Sequence, residues 1–183
     1  MLGRLIRFWC YGGGLAGALL LALTPLIAAG WSPAITLIFL TLPIYMLHQL
    51  EEHDDDRFRR FFNDTIAHGR EGLTPLAVFV VNIFCVWGVI AAAIYLARAL
   101  APGWGLIAVY LVAVNALVHL VHAVMFRRYN PGLVTAAVLF VPLSGAALWT
   151  IDAGGEYHVI GLLTALVLHA AIIIHVKRRM AAL

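Results

Sequence analysis

The chain alternates between long apolar blocks and short polar breaks. Several blocks approach or exceed the roughly 18–20 residues that an α-helix needs to cross a bilayer core. Backbone groups inside hydrocarbon must pair within their own segment, so these blocks predict transmembrane helices. No short segments of alternating hydrophobicity, typical of β-barrels, are visible. The six predicted spans cover residues 8–29, 34–50, 73–97, 104–126, 133–150 and 157–176.

One polar break is much longer than the others and lies at about residues 53–72. It begins within an acidic run and continues with arginines interleaved with Phe58, Phe61 and Phe62. Basic and aromatic side chains in this arrangement are typical of an amphipathic helix in the membrane interface. We therefore predict a short cytoplasmic amphipathic segment here.

Composition supports an all-α polytopic membrane bundle. Hydrophobic residues make up 63% of the 183 residues and charged residues 11%, against about 25% charged residues in soluble proteins. The first block lacks a convincing cleavage site before the next block, so we interpret it as a retained helix. The whole chain, residues 1–183, is predicted to be a single transmembrane domain.

The basic residues predict the orientation. The formal net charge of +3 does not indicate nucleic-acid binding, because the lysines and arginines sit at the ends of the apolar blocks. Eleven of these residues fall on the side that holds both termini, and only Arg98 falls on the other. By the positive-inside rule, both termini are cytoplasmic. We expect a multi-pass protein of the bacterial inner (plasma) membrane.

The candidate chemistry begins with polar residues inside the spans, because they are costly in hydrocarbon and usually functional. His48, Glu51 and Glu52 share one helix face through i, i+3 and i+4 spacing near the end of the second span. Their spacing matches neither the His-Glu-x-x-His nor the His-x-x-Glu-His zinc pattern.

A second stripe lies on the fourth span, where Asn115, His119 and His122 are spaced by i, i+4 and i+7. His169 on the sixth span and Asn82 on the third lie at comparable depths. Imidazole and carboxylate side chains suit zinc or iron, and helix bundles build such sites between facing helices. We therefore expect one or two ions of zinc or iron. The predicted metal ligands are His48, Glu51, Glu52, His119, His122 and His169.

Supporting roles are assigned to four further residues, and the catalytic role to the two acids. One of Glu51 and Glu52 would act as general base and the other as ligand. The residues predicted to surround the ligands or bind substrate are Asn82, Asn115, His53 and Arg127.

Structural explanations stay open beside this prediction. The acids could mark the hydrated end of a span, and the histidines could serve packing or interhelical hydrogen bonds. Asn82 and Asn115 are typical of interhelical hydrogen bonding.

The residues from His48 to Glu52, after Tyr45-Met46-Leu47, resemble the signature of the HXXEE domain family of small bacterial membrane proteins. The resemblance continues through Asn115, His119 and His122, the turn at residues 129–132 and Thr135, and covers about residues 43–142. It implies a membrane protein of enzymatic character whose reaction is not assigned.

Two classes of function fit these observations. The first is a metal-dependent membrane enzyme that acts from the cytoplasmic side on a lipid or another hydrophobic small molecule. Hydrolysis is slightly favoured over di-iron oxidation, because the chain lacks the dense histidine clusters of membrane oxidative enzymes. The alternative is a transporter or channel that uses the His/Glu cluster as a relay for metal ions or protons. A structural subunit with a polar core is a third hypothesis, and a homo-oligomer is compatible with all three.

Overall fold

The computed structural model describes residues 1–182 and is all-helical over them, as the apolar pattern predicts. Six helical stretches are long and apolar enough to cross a membrane. This confirms the predicted number of spans. The helices are α1 Leu2–Ile27, α2 Pro33–His53, α3 Arg57–Thr65, α4 Pro75–Ala99, α5 Pro102–Phe126, α6 Leu133–Thr150 and α7 Gly155–Ala181.

Two of the spans contain a π-helical segment, which the sequence pattern did not indicate. The first is Val81–Trp87 within α4, and the second is Ala136–Phe140 within α6. A π turn inserts one residue into the helix and changes which side chains share a face; such turns are frequent at functional sites. Here Asn82 lies inside the first segment and Thr135 comes directly before the second.

The centre of the bundle is formed around α5. Its residues Leu106, Val109 and Val112 are fully buried among side chains from the neighbouring helices. Gly161 of α7 packs against the backbone of α5, where an added Cβ would lie 2.8 Å from the Leu106 carbonyl oxygen. Close approach through small residues is the usual way in which membrane helices pack. In α1, Gly17 allows the same approach to α2, because an added Cβ would lie 2.8 Å from the Pro43 carbonyl oxygen.

Both termini lie at one end of the bundle, which we call the basic end. It holds the first turns of α1, the connections at residues 54–74 and 127–132, and the last turns of α7. Arg179 donates to the Glu71 carbonyl at 2.8 Å, and Arg70 donates to the Met180 carbonyl at 3.2 Å. Trp9 of α1 packs in one cluster with Val176 of α7.

A sharp reversal at the basic end connects α2 to α3. Asp55 and Asp56 both adopt left-handed backbone conformations, with φ of 49° and 59°. Aspartate is one of the few residues that tolerate this region. The reversal returns α3 onto the bundle, where Phe58 and Phe62 pack against the cluster that contains Trp9. The α3 helix therefore lies in the predicted amphipathic segment, with these two aromatic side chains against protein.

Candidate metal centre

Three side chains meet beside the basic end of the bundle: His48 and Glu52 of α2, and His119 of α5. One potential ligand atom from each lies within 4.8 Å of the other two. The Nε2 atom of His48 lies 3.6 Å from one Glu52 oxygen, and the Nε2 atom of His119 lies 3.6 Å from the other. All three side chains are buried, with exposed fractions of 0%, 5% and 3%. We call them the ligand group.

Helix geometry and aromatic packing place the α2 members of this group. His48 and Glu52 are one turn apart (i, i+4), so both side chains leave the same face of α2. The His48 ring is held between aromatic neighbours, with centroid distances of 5.6 Å to Tyr45 and 4.3 Å to Phe140. The His119 ring meets it edge-on at 5.0 Å.

The hydrogen bonds of His48 fix its tautomer. Its Nδ1 atom lies 2.8 Å from the Thr135 hydroxyl. That hydroxyl has a single proton, which it donates to Glu51 at 2.5 Å or to the Gly132 carbonyl at 3.3 Å. His48 Nδ1 is therefore the donor to Thr135. A neutral imidazole carries only one N–H, and in His48 it is on Nδ1. The Nε2 atom keeps a lone pair, and within residues 1–182 it has no hydrogen-bond partner.

The same reasoning assigns the tautomer of His119. Its Nδ1 atom lies 2.6 Å from Asn130 Oδ1, and the Asn130 amide nitrogen donates to the His119 carbonyl at 3.0 Å. The second contact fixes the orientation of the amide, so Oδ1 is the acceptor and His119 Nδ1 is the donor. The lone pair of His119 Nε2 therefore also faces Glu52.

When both rings are neutral, two imidazole lone pairs and a carboxylate thus converge on one point. The 3.6 Å separations are longer than the roughly 2.7–3.2 Å of an N–H···O hydrogen bond. A zinc ion bound at about 2.1 Å to two tetrahedral ligands sets those ligands about 3.4 Å apart. The separations therefore fit a cation better than direct pairing, and two histidines with one carboxylate are a ligand set of zinc and of non-haem iron.

Gly132 lies directly against both histidine rings. A Cβ atom at this position would lie 2.8 Å from Cε1 of His48 and 2.8 Å from Cε1 of His119. The backbone is also left-handed here, with φ of +94°. Only glycine combines this conformation with so little space. At Gly132, the turn after α5 therefore covers the two histidine rings with backbone alone.

Glu51 points away from the ligand group, toward the start of α6. One oxygen accepts from the Tyr129 hydroxyl at 2.8 Å and the Val134 N–H at 3.2 Å. The other accepts from the Thr135 N–H at 2.8 Å and the Thr135 hydroxyl at 2.5 Å. Burial and the bond to Glu51 raise the pKa of the Tyr129 phenol, which favours its protonated, donating form. Glu51 is thus a fully engaged acceptor, and it supports His48 through Thr135.

The structure places two further predicted ligands outside the group. His122 is half-buried one turn beyond His119, and its ring packs 5.7 Å from that of Phe126. His169 of α7 uses Nδ1 to contact the carbonyl of Ala165 in its own helix at 2.8 Å. Of the six predicted ligands, the structure brings three together, and Glu51, His122 and His169 lie elsewhere.

Among the predicted supporting residues, His53 touches a ligand directly. Its Nε2 atom lies 3.1 Å from Glu52 Oε2, so it can orient the carboxylate as hydrogen-bonded neighbours of metal ligands do. Arg127 is exposed and ends α5 in a left-handed conformation with φ of 48°. Asn115 is half-buried, and its Oδ1 atom has no hydrogen-bond partner within residues 1–182.

Asn82 belongs to a separate polar network between α2 and α4. Its Oδ1 atom accepts from Gln49 at 2.7 Å, and its amide nitrogen donates to the Val78 carbonyl at 2.8 Å. The Trp87 indole donates to the other end of the Gln49 amide. All these polar atoms are paired, so the network is interhelical hydrogen bonding, the structural role typical of asparagine in spans.

Sequence reasoning did not assign roles to Thr135 and Asn130, which hold the two histidines. Both lie outside the polar stripes of the spans, Asn130 in the turn between α5 and α6 and Thr135 in the first turn of α6. A usable signal is their position, because polar side chains at a tight turn after a histidine-bearing helix can reach back to that helix. Gly132, in the same turn, is a second usable signal, because a residue without a side chain leaves room for neighbouring side chains.

Comparison with known proteins gives one family match. The model described as "Protein of unknown function with HXXEE motif" matches residues 39–150. This range contains the ligand group together with Glu51, Asn130, Gly132 and Thr135. No curated protein and no solved structure matches the chain.

Proposed function

This chain belongs to the HXXEE family, and from that premise we propose that it is a metal-dependent integral membrane enzyme acting on a lipid or another hydrophobic substrate. The observation that carries the proposal is the convergence of two bare imidazole nitrogens on the Glu52 carboxylate. The first and last residues of the family motif, His48 and Glu52, supply two of the three ligands. His119 supplies the third from another helix.

A ligand group of this size suits catalysis better than a purely structural role. Structural zinc sites use four protein ligands, whereas catalytic sites use three and leave a position for water or substrate. Bound there, zinc would supply a water of lowered pKa for hydrolysis, whereas iron would supply oxygen chemistry. Three protein ligands favour one ion over a pair, which argues against di-iron oxidation.

The surrounding residues of the chain have defined tasks in this proposal. Thr135 and Asn130 keep the two imidazoles in the tautomer that directs Nε2 at the ion, and His53 orients Glu52. Burial of all three ligands keeps bulk water away, which strengthens electrostatic interactions at the site. We propose that the basic end faces the cytoplasm, so substrate would approach from the cytoplasmic half of the bilayer.

Metal content tests the ligand group directly. The full chain, purified in detergent, should contain about one zinc or iron ion per molecule by elemental analysis. His48→Ala, His119→Ala and Glu52→Gln should each lose it. His122→Ala is the matched control, because this histidine lies one turn from His119 but outside the group. Loss of metal in the control to the same extent as in His119→Ala would overturn the assignment.

Mass spectrometry of membrane lipids would then test the reaction. Lipid extracts incubated with the metal-loaded chain should show products that His119→Ala does not form. Hydrolysis adds the elements of water across a cleaved bond, whereas oxidation adds oxygen or removes hydrogen. Unchanged extracts, together with metal or proton flux in proteoliposomes that Glu52→Gln abolishes, would instead support a transporter.

A further inference from the structure

A cavity of about 550 Å³ lies beside the ligand group at the basic end. It is partly open to the outside and is bordered by the first turns of α1, the reversal between α2 and α3, the start of α3 and the start of α4. Its lining contains both charged and apolar side chains. Together they indicate what kind of molecule the cavity receives.

The charged residues of the lining carry one uncompensated positive charge. Arg59 pairs with Asp56 at 2.7 Å, and Arg60 pairs with Asp55 at 2.8 Å, so these four lining residues neutralise one another. Arg7 also lines the cavity, and over residues 1–182 it forms no ion pair. A negatively charged group in the cavity would pair with Arg7 and could accept hydrogen bonds from its guanidinium.

The apolar residues of the lining include Ile6, Phe8, Trp9 and Val78. On the adjoining surface of α1, Leu2, Leu5 and Phe8 are exposed large apolar residues. In a transmembrane helix such residues face lipid, so the cavity lies where an acyl chain can remain in the bilayer while its polar end enters.

His53 connects this cavity to the ligand group. It is among the lining residues, and its Nε2 atom lies 3.1 Å from Glu52 Oε2. Its ring packs against Trp9, with centroids 5.0 Å apart. A molecule held in the cavity would therefore be separated from a metal ligand by one imidazole.

We propose that this cavity binds the anionic headgroup of a membrane lipid, and that an anionic lipid is the substrate class of the enzyme. That this lipid is a substrate rests on the proposed function, whereas its binding depends only on the cavity. Arg7 pairs with the phosphate of the headgroup, and the apolar lining residues accommodate the beginning of the chains. A zwitterionic lipid carries the same phosphate, but its own cation would add to the uncompensated positive charge of the lining, whereas a lipid with net negative charge neutralises it.

Binding isotherms of the detergent-purified full chain test this proposal. The probes are dihexanoyl phosphatidylglycerol, dihexanoyl phosphatidylcholine and inorganic phosphate. The anionic lipid should bind most tightly, and Arg7→Gln should weaken it about tenfold through loss of a charged hydrogen bond. Arg4→Gln is the matched control, because Arg4 lies one turn earlier in α1 and does not line the cavity. Arg7 is exposed, so its substitution should leave the thermal unfolding unchanged.

The possible results separate this proposal from that of the metal centre. Equal binding of the two lipids, or equal losses in Arg4→Gln and Arg7→Gln, would overturn the cavity proposal. Phosphate bound as tightly as the anionic lipid would show a site for free anions and would also overturn it. The same titration on His119→Ala gives the second distinction. If His119→Ala loses the metal but still binds the anionic lipid, only the cavity proposal is supported. If the protein holds metal but Arg7→Gln does not change lipid binding, only the ligand group is supported.

Discussion

Glu51 and Thr135 are 84 positions apart in the sequence and are joined by two hydrogen bonds, 2.5 Å from the hydroxyl and 2.8 Å from the backbone N–H. The same hydroxyl accepts from His48. The first acid of the motif therefore acts on the motif histidine through a residue of another helix. This arrangement gives the two adjacent acids different tasks.

Exchange of the two acids for glutamine should distinguish those tasks. Glu52→Gln removes the only carboxylate of the ligand group and should abolish metal binding. Glu51→Gln should keep the ion but lower the stability by about 1–3 kcal/mol, because the amide nitrogen meets groups that are themselves donors. Elemental analysis and thermal unfolding of both variants measure the two effects. Complete loss of metal in Glu51→Gln with normal folding would contradict the separation of tasks between the two acids.

Removal of the Thr135 hydroxyl should weaken metal binding without changing the ligands. Thr135→Val keeps the shape of the side chain but leaves His48 Nδ1 without an acceptor. Loss of such a partner typically costs about 10–100-fold in metal affinity. Competition with a chelator of known affinity measures the change. Thr135→Ser retains the hydroxyl and should bind as the wild type does; equal affinities in the valine and serine variants would refute the role of the hydroxyl.

Gly132→Ala should destabilise the protein by more than the cost of its backbone strain and should also disturb the metal centre. A left-handed alanine costs about 1–2 kcal/mol wherever it occurs. Gly30→Ala provides this cost alone, because Gly30 has φ of +78° and nothing within 4 Å of the added Cβ. Gly132→Ala should unfold at a lower temperature than Gly30→Ala and lose metal, since its Cβ meets both imidazoles. Equal melting temperatures and equal metal content in the two variants would contradict the close packing.

The basic end should face the cytoplasm. A fluorescent protein that folds only in the cytoplasm, fused after Leu183, should be fluorescent, and alkaline phosphatase fused at the same position should be inactive. The expectation follows from the eleven basic residues at this end against Arg98 at the other. An active phosphatase fusion would reverse the orientation and place the cavity on the opposite side of the membrane.

The sequence was sufficient for the spans but only partly sufficient for the centre. Apolar length is a property of contiguous residues, so the six helices could be predicted from pattern alone. The pairing of His48 with Glu52 also follows from one helix, through i, i+4 spacing. Glu51 also lies within one turn of His48, on the other side of it. Only the positions of α5 and α6 decide whether Glu51 or Glu52 faces His119.

The remaining differences between the predicted and the observed site also depend on features that the apolar pattern does not encode. His119 and His122 are equally plausible ligands on an isolated helix, and the crossing of α2 and α5 brings only His119 to Glu52. The π segment that follows Thr135 is a local irregularity without a pattern in the apolar positions. Contacts between helices, such as those of Thr135 and Asn130 with the histidines, require their relative rotation, which apolar periodicity does not specify.

The division of the site among helices has a consequence for how the protein matures. His48 and Glu52 come from α2, His119 comes from α5, and the residue that holds His48 comes from α6. The last helix supplies neither a ligand of the group nor a hydrogen-bond partner of one within residues 1–182. During insertion into the membrane, a nascent chain would first be able to capture its ion when the fifth span has joined the second and fourth. Ion loading would thus report that the second, fourth and fifth spans have been assembled correctly.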